Sequence, residues 1–176
     1  IPKVESAEEL HTLDQAVGKA NFFFMPILET ARGVLNALAI AEASPRNVAL
    51  TLGLEDLTAD LGVVKTPSGG ETAWASSQVI YAAKAAGLQA IDSVYGNVAD
   101  EDGLRQSVQF AKSIGFEGKG CVHPRQIKII HQEFAPSEEE IAKARAIVAA
   151  FEEAQAKGLA VVSLGSKMID PPVVKR

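Results

Sequence analysis

The stretch Pro26–Gly62, PILETARGVLNALAIAEASPRNVALTLGLEDLTADLG, decides the fold. An apolar run ends in Glu29, an amphipathic segment follows, and a second apolar run ends at Gly53, just before Glu55 and Asp56. This pattern predicts two buried strands joined by a helix, each strand followed by an acid. The carboxyl ends of parallel strands form the edge at which α/β proteins bind ligands. We therefore expect Glu29 and Asp56 to lie close enough together to share one divalent cation.

The acids beside these strand ends also have a simpler interpretation. A carboxylate there stabilises the first turn of the following helix, so either acid taken alone is more often a cap or first-turn residue than a metal ligand. Two acids at neighbouring strand ends make the two interpretations about equal. Glu55 and Asp60, in the same loop, are rival ligand candidates. On an extended backbone Glu55 points away from Asp56, so only one of these two is expected to face the site, and Asp60 is expected to cap or hydrogen-bond the loop backbone. Two carboxylates suffice for Mg²⁺ because water and substrate oxygens fill its remaining positions.

The strand-then-helix order continues on both sides of this stretch. The expected strands are residues 1–5, 21–28, 48–52, 90–94 and 118–122. Such alternation predicts an α/β fold with a parallel sheet, either an open doubly wound sheet or part of a TIM (β/α)8 barrel. No G-x-G-x-x-G follows a strand, and the chain starts inside a strand–helix unit. The favoured fold is thus the last five units of a barrel plus a C-terminal helix and arm, with the N-terminal units missing.

Composition narrows the class of protein. The chain has 176 residues, of which 47% are hydrophobic, and a net charge of −5 with scattered basic residues, which disfavours nucleic-acid binding. No apolar stretch approaches the roughly 18 residues that cross a membrane. We expect a cytoplasmic protein, with the mitochondrial matrix as an alternative, and two parts: a catalytic domain over residues 1–158 and an arm over residues 159–176. Cys121 lies in an apolar run and is expected to be buried.

Further polar residues are candidates for chemistry. Arg32, Lys65 and Arg125 are each either a ligand for anionic substrate groups or a solvated charge, and His123 is either a base or a loop residue. Asp92 lies within a strand and is expected to bond within the floor or the top of the barrel. Asp170 follows an apolar segment of the tail, and docking of that tail would raise the carboxyl pKa toward the range useful for proton transfer. On a loose tail, Asp170 would be a solvated acid.

Five motifs follow one another along the chain: PILETARG (26–33), GLEDLTADLG (53–62), AIDSVY (90–95), HPRQI (123–127) and GSKMID (165–170). In this order they resemble the citrate lyase beta subunit family within the HpcH/HpaI aldolase superfamily. The resemblance extends from Ile1 to Arg176. Members of the family carry further strand–helix units before the position of Ile1, including a substrate-binding arginine without a counterpart here.

The resemblance implies a TIM barrel, generally trimeric or hexameric, that uses Mg²⁺ to cleave or form a carbon–carbon bond next to an acyl thioester. It implies Glu29 and Asp56 as the metal ligands. It also implies Asp170 as an acid that the C-terminal arm delivers into the site of a neighbouring subunit.

The reaction implied for the complete enzyme is cleavage of a 3-hydroxy-acyl thioester of citryl, citramalyl or malyl type, carried on CoA or acyl carrier protein. The products are an acetyl thioester and a 2-oxo acid. The carrier is expected near residues 66–70 and Arg125. Two alternatives remain open: a class II aldolase acting on a free hydroxy-oxo acid, and a non-catalytic subunit that only assembles a complex.

Overall fold

The computed structural model describes residues 1–66, 68–165 and 167–174, except for the side chain of Lys167. The chain divides into two compact units, Ile1–Phe134 and Ala135–Arg176. No helix among these described residues is long and apolar enough to cross a membrane.

Helices and strands alternate through the first unit. Its elements are α1 (Ala7–Val17), β1 (Ile27–Leu28), α2 (Ala31–Leu35), α3 (Ala37–Glu42), β2 (Ala49–Leu52), α4 (Leu54–Asp60), a 3-10 turn (Gly70–Thr72), α5 (Ala73–Ala85), β3 (Gln89–Asp92), α6 (Glu101–Ile114), β4 (Gly118–Lys119) and α7 (Arg125–Phe134).

The four strands form one parallel sheet in which they lie in chain order, β1-β2-β3-β4. Ile27, Thr51, Ile91 and Gly118 are aligned across it. The prediction of an α/β fold with a parallel sheet is confirmed. The strand order does not reverse within the described sheet, so it lacks the switch point of a doubly wound fold.

The two faces of the sheet are buried to different extents. One face carries the buried side chains Leu28, Leu50, Leu52 and Ala90, which belong to a single hydrophobic core with residues of α2, α3 and α5. The other face carries the half-buried Ile27, Thr51 and Ile91. This alternation follows the two-residue period of a strand. The near-continuous apolar runs are typical of strands covered on both faces, yet only one face is fully covered here.

The first five residues do not form the expected strand. The Ile1 carbonyl accepts a hydrogen bond from the Ile27 amide at 2.8 Å, and the Val4 amide donates to the Ile27 carbonyl at 3.3 Å. Between them Lys3 has a φ of 51°, in the left-handed region. That conformation interrupts the extended backbone. The described sheet therefore has four strands, and the prediction of a fifth was wrong.

Strand β4 is also shorter than expected. Because regular pairing ends at Lys119, the chain leaves the sheet before Cys121, and this cysteine is exposed. The prediction that Cys121 is buried was wrong. The helix expected after Glu29 is divided into α2 and α3 at Asn36, whose side-chain amide donates to the Glu5 carbonyl at 2.8 Å.

The second unit contains α8 (Glu138–Ala156), the antiparallel strands β5 (Val162–Leu164) and β6 (Lys167–Ile169), and α9 (Pro171–Val174). Helix α8 begins with a capping box in which Ser137 and Glu140 each bond the other's backbone amide, as the sequence predicts. The unit begins at Ala135, upstream of the domain boundary expected after residue 158. The assignment of residues 159–176 as an arm stays a prediction, and Ser166 and residues 175–176 lie outside the described residues.

Candidate functional site

Glu29 follows β1 directly and lies at the carboxyl end of the sheet. It is 7% exposed, and its Oε1 accepts a hydrogen bond from the Lys3 backbone amide at 2.8 Å. A Cβ atom on Gly53 would lie 2.6 Å from both Cβ and Oε2 of Glu29. Gly53, the residue after β2, therefore leaves the space that the Glu29 carboxylate fills. The result is a buried acid fixed from two sides.

Asp56 lies in the first turn of α4 and is more open to solvent. Its side chain is 52% exposed, and its Oδ1 lies 3.0 Å from Nζ of Lys3. The hydrogen bond and charge of Asp56 raise the pKa of Lys3, and the charge of Glu29 adds to this effect. Lys3 thus contacts both predicted metal ligands, one through its backbone and the other through its side chain.

The donor chemistry of this edge fits a hard divalent cation. Two carboxylates from neighbouring strand ends face one positive charge, that of Lys3, and a glycine gives the buried acid its room. Within the described ranges there is no group of three or more His, Cys, Asp or Glu side chains that could hold a metal ion. A site of two acids is the kind that Mg²⁺ completes with water and substrate oxygens.

The other acids of this edge have different partners. Glu55 pairs with Lys65 at 2.5 Å, away from Lys3, and Asp60 Oδ2 accepts a hydrogen bond from the Ala31 amide at 2.7 Å. Asp60 therefore binds a backbone amide, as expected, but at the start of α2 and not in its own segment, where it ends α4. Asp56, and not Glu55, is the acid of the pair that shares a partner with Glu29.

Asp92 ends β3 on the face of the sheet that is covered by helices. It forms an ion pair with Lys119 at 2.5 Å, and the two side chains are only 10% and 3% exposed. Asp92 therefore bonds to the neighbouring strand β4, and its place in the floor or top of a barrel stays a prediction. The next residue, Ser93, accepts a hydrogen bond from the Leu54 amide at 3.0 Å and so ties the start of α4 to the end of β3.

A cavity of about 680 Å³ opens beside this ion pair. Asp92 and Lys119 line it, as do Thr66, Ser68 and Phe110. Charged, hydroxyl and aromatic groups therefore face the same space. Pro67 of the loop expected near the thioester carrier lies outside the described residues.

Three further predicted residues of the first unit lie on its surface. Arg32 in α2 and Arg125 at the start of α7 are exposed. His123 is an exposed loop residue whose Nδ1 accepts a hydrogen bond from the Arg125 amide at 3.2 Å. The loop around it is held by Gln126, which binds the Val122 amide and the Tyr95 carbonyl.

Asp170 belongs to the second unit, between β6 and α9. It is half-buried, and its Oδ1 accepts a hydrogen bond from the Val173 amide at 3.3 Å. The preceding Ile169 is 1% exposed, while Met168 is 63% exposed. The acid is therefore part of an ordered turn.

Comparison with known proteins identifies the family. A sequence profile described as HpcH/HpaI aldolase/citrate lyase matches residues 1–124. The chain belongs to this family. The citrate lyase subunit beta of Leuconostoc mesenteroides subsp. cremoris is 39% identical over 185 residues, covering 100% of this chain and 61% of the relative. The mitochondrial citramalyl-CoA lyase of Mus musculus is 33% identical over 192 residues, covering 100% and 57%.

Solved structures of HpcH/HpaI-type proteins are also similar. The protein CitE from Mycobacterium tuberculosis in complex with magnesium, acetoacetate and coenzyme A has a TM-score of 0.83 and 32% identity, with coverage of 99% of this chain and 63% of that one. A complex of the M. tuberculosis citrate lyase beta subunit with oxaloacetate and magnesium has a TM-score of 0.68 and 32% identity, with coverage of 77% and 60%. The chain spans about three fifths of the length of the curated relatives it matches.

Lys3, Gly53 and Lys119 are the residues of this region that sequence reasoning missed. A signal existed for Gly53, because a glycine directly after a strand indicates close approach of another group. Residues 1–5 were expected to form a regular strand. The left-handed backbone at Lys3, which brings its amide to Glu29 and its ammonium to Asp56, was therefore not predicted. Lys119 gave no signal beyond its position in an expected strand.

Proposed function

We propose that the protein is a Mg²⁺-dependent carbon–carbon lyase. Its substrate is a 3-hydroxy-acyl thioester of citryl, citramalyl or malyl type on CoA or acyl carrier protein, and its products are an acetyl thioester and a 2-oxo acid. The observation that carries this proposal is the common contact of Glu29 and Asp56 with Lys3 at the carboxyl end of the sheet. Support comes from relatives crystallised with magnesium together with oxaloacetate or coenzyme A.

The proposed architecture is part of a TIM barrel. A parallel sheet with strands in chain order supports it, as does similarity to larger members of the family. In such a barrel the ligand edge is the carboxyl end of the strands. Both acids lie at that edge. A location in the cytoplasm or the mitochondrial matrix belongs to the same proposal.

Glu29 and Asp56 are the residues that would hold Mg²⁺. When bound, the ion supplies Lewis acidity toward the carbonyl oxygen of the 2-oxo acid. The Lys3 amide and the gap at Gly53 fix the orientation of the Glu29 carboxylate. Arg32 and Arg125 are proposed to bind anionic groups of the substrate, since both guanidinium groups are exposed and match carboxylate and phosphate geometry.

Asp170 is proposed as the group that moves the proton. In the cleavage direction the C2–C3 bond would break, the 3-hydroxyl proton would pass to water, and the Asp170 carboxyl would give its proton to the enolate carbon, which becomes the methyl group of the acetyl thioester. In the condensation direction the Asp170 carboxylate would take that proton back from the methyl group. The ordered turn that holds Asp170 supports this role. In a homo-oligomer, a trimer or hexamer, the arm would deliver Asp170 to the site of a neighbouring subunit.

The thioester carrier is proposed to occupy the cavity beside the loop after α4. Thr66 and Ser68 of that loop supply hydroxyl groups, and Phe110 supplies an apolar surface. A pantetheine arm combines amide and alkyl segments, so a mixed lining of this kind suits it.

The test is Mg²⁺ binding, measured by calorimetry, together with release of the 2-oxo acid. Glu29→Gln and Asp56→Asn each remove one ligand charge, and each should weaken Mg²⁺ binding at least about tenfold and abolish lyase turnover. Glu55→Gln removes the adjacent charge, which pairs with Lys65, and should leave Mg²⁺ affinity within about twofold. Wild-type affinity in the Glu29 and Asp56 variants would refute the assigned ligands. A protein that binds no Mg²⁺ would instead favour the non-catalytic alternative.

A further inference from the structure

Lys3 contacts both of the proposed metal ligands at the carboxyl end of the sheet. Its backbone amide donates to Oε1 of Glu29, and its ammonium lies 3.0 Å from Oδ1 of Asp56. One residue therefore joins the two proposed ligands, which come from different strand ends. The neighbouring acids Glu55 and Asp60 are bonded to other groups.

The backbone at Lys3 indicates that its side chain matters. The φ of 51° is the left-handed conformation in which glycine is favoured and a side chain is strained. Glycine at this position would keep the amide bond to Glu29 and relieve the strain. What a lysine adds there is an ammonium on Asp56.

The Lys3 ammonium is a positive charge beside the two negative charges of Glu29 and Asp56. Without it, the carboxylates of Glu29 and Asp56, which both contact Lys3, would lose the positive charge beside them, and like charges at one edge of a sheet repel each other. Asp56 is half-exposed, so its ion pair with Lys3 is readily broken, whereas Glu29 is buried and bonded to backbone. A divalent cation that binds both carboxylates must compete with the Lys3 ammonium for Asp56.

We propose that Lys3 is a resident counter-cation of this site: its ammonium holds Asp56 in the metal-free protein, is displaced when Mg²⁺ binds, and thereby sets the affinity of the site for divalent cations. This inference rests on the proposed function, because it takes Glu29 and Asp56 as the metal ligands. It makes Lys3 a positioning residue for the metal site.

The first experiment measures Mg²⁺ binding by calorimetry in Lys3→Met and Lys3→Arg. Methionine keeps the length and the backbone amide but removes the competing charge, and Mg²⁺ should bind about fivefold more tightly. Arginine keeps the positive charge, so the Mg²⁺ affinity of the Lys3→Arg variant should stay near that of the wild type. The matched control is Lys65→Met, which removes the same charge from the Glu55 pair and should leave the affinity within about twofold. Thermal melting of each variant checks that it is folded.

The second experiment follows the lysine itself. An amine-acetylating reagent, read out by mass spectrometry, should label Lys3 several-fold faster in saturating Mg²⁺ than in its absence, because the ammonium has left Asp56. Labelling of Lys65 should not change. This readout does not depend on catalytic activity, and a lysine with a purely structural contact would not respond to the metal.

The outcomes separate the two proposals. Unchanged or weaker Mg²⁺ binding in Lys3→Met, with binding still lost in Glu29→Gln, would overturn the role of Lys3 and leave the metal site intact. Labelling of Lys3 that is unaffected by Mg²⁺ would do the same. Absence of Mg²⁺ binding in the wild type would overturn both. Tighter binding in Lys3→Met but not in Lys65→Met, with faster labelling, is the result we expect.

Discussion

At the scale of single residues, Gly53 decides whether Glu29 can take its position. Substitution Gly53→Ala places a Cβ 2.6 Å from two atoms of Glu29, a distance at which one group must move. Changes to the groups that orient a metal-binding side chain typically cost about tenfold to a hundredfold in metal affinity. We expect Gly53→Ala to weaken Mg²⁺ binding by at least about tenfold, as measured by calorimetry.

The control for this substitution is Gly96→Ala. A Cβ at Gly96 meets no atom within 4 Å, so the same methyl group should leave Mg²⁺ affinity unchanged. Equal affinities for wild type and Gly53→Ala would show that the Glu29 carboxylate does not need its present orientation.

The sequence predicted these acids better than it predicted their surroundings. The positions of Glu29 and Asp56 follow from strand ends, which apolar runs mark clearly. The contact of Lys3 with both acids depends on a left-handed backbone at a non-glycine residue, and no residue preference signals that conformation. The choice between Glu55 and Asp56 depended in the same way on how α4 begins. Glu55 pairs with Lys65, whereas Asp56 pairs with Lys3, the residue that also binds Glu29.

At the scale of elements, the ion pair between Asp92 and Lys119 joins β3 to β4. Both side chains are almost fully buried, so truncating one leaves an uncompensated charge in the interior. We expect Lys119→Met to lower the free energy of unfolding by about 3 kcal/mol or more in urea denaturation. The double variant Asp92→Leu with Lys119→Met should recover much of this loss, because it removes both charges.

A surface pair of the same type provides the comparison. Lys84 and Glu117 lie 2.6 Å apart with side chains 48% and 41% exposed. Since solvent screens such a pair, Lys84→Met should change the free energy of unfolding by less than about 1 kcal/mol. Similar losses for Lys84→Met and Lys119→Met would contradict a stabilising role for the buried pair.

The sequence predicted the type and order of the elements more reliably than their lengths. Helices α5 and α6 and the capped start of α8 follow from apolar spacing, glycine stops and a capping box. Strand β4 is two residues long because only Gly118 and Lys119 meet a partner strand in register. Hydrogen bonding across a sheet depends on residues that are distant in sequence. An apolar run therefore does not show at which residue the pairing with the neighbouring strand ends. Cys121 was misjudged for that reason.

At the scale of the whole molecule, the proposal places Asp170 of one subunit with Glu29 of another. Asp170→Asn and Glu29→Gln should each be inactive alone. If the sites are shared and the subunits exchange freely, an equal mixture should recover about one quarter of wild-type turnover, because that fraction of sites combines two intact acids. The measurement is release of the 2-oxo acid after mixing, with subunit exchange shown independently by mass spectrometry of tagged chains. Absence of recovery despite exchange would confine the site to one subunit.

The hydrogen bond between Asp60 and the Ala31 amide has a consequence for motion. It fastens the last residue of α4 to the first residue of α2, and these two helices follow the strands that precede Asp56 and Glu29. This hydrogen bond therefore couples the position of α4 to the start of α2. The distance between the two carboxylates is then less sensitive to displacement of either helix, because a shift of one is opposed by its bond to the other.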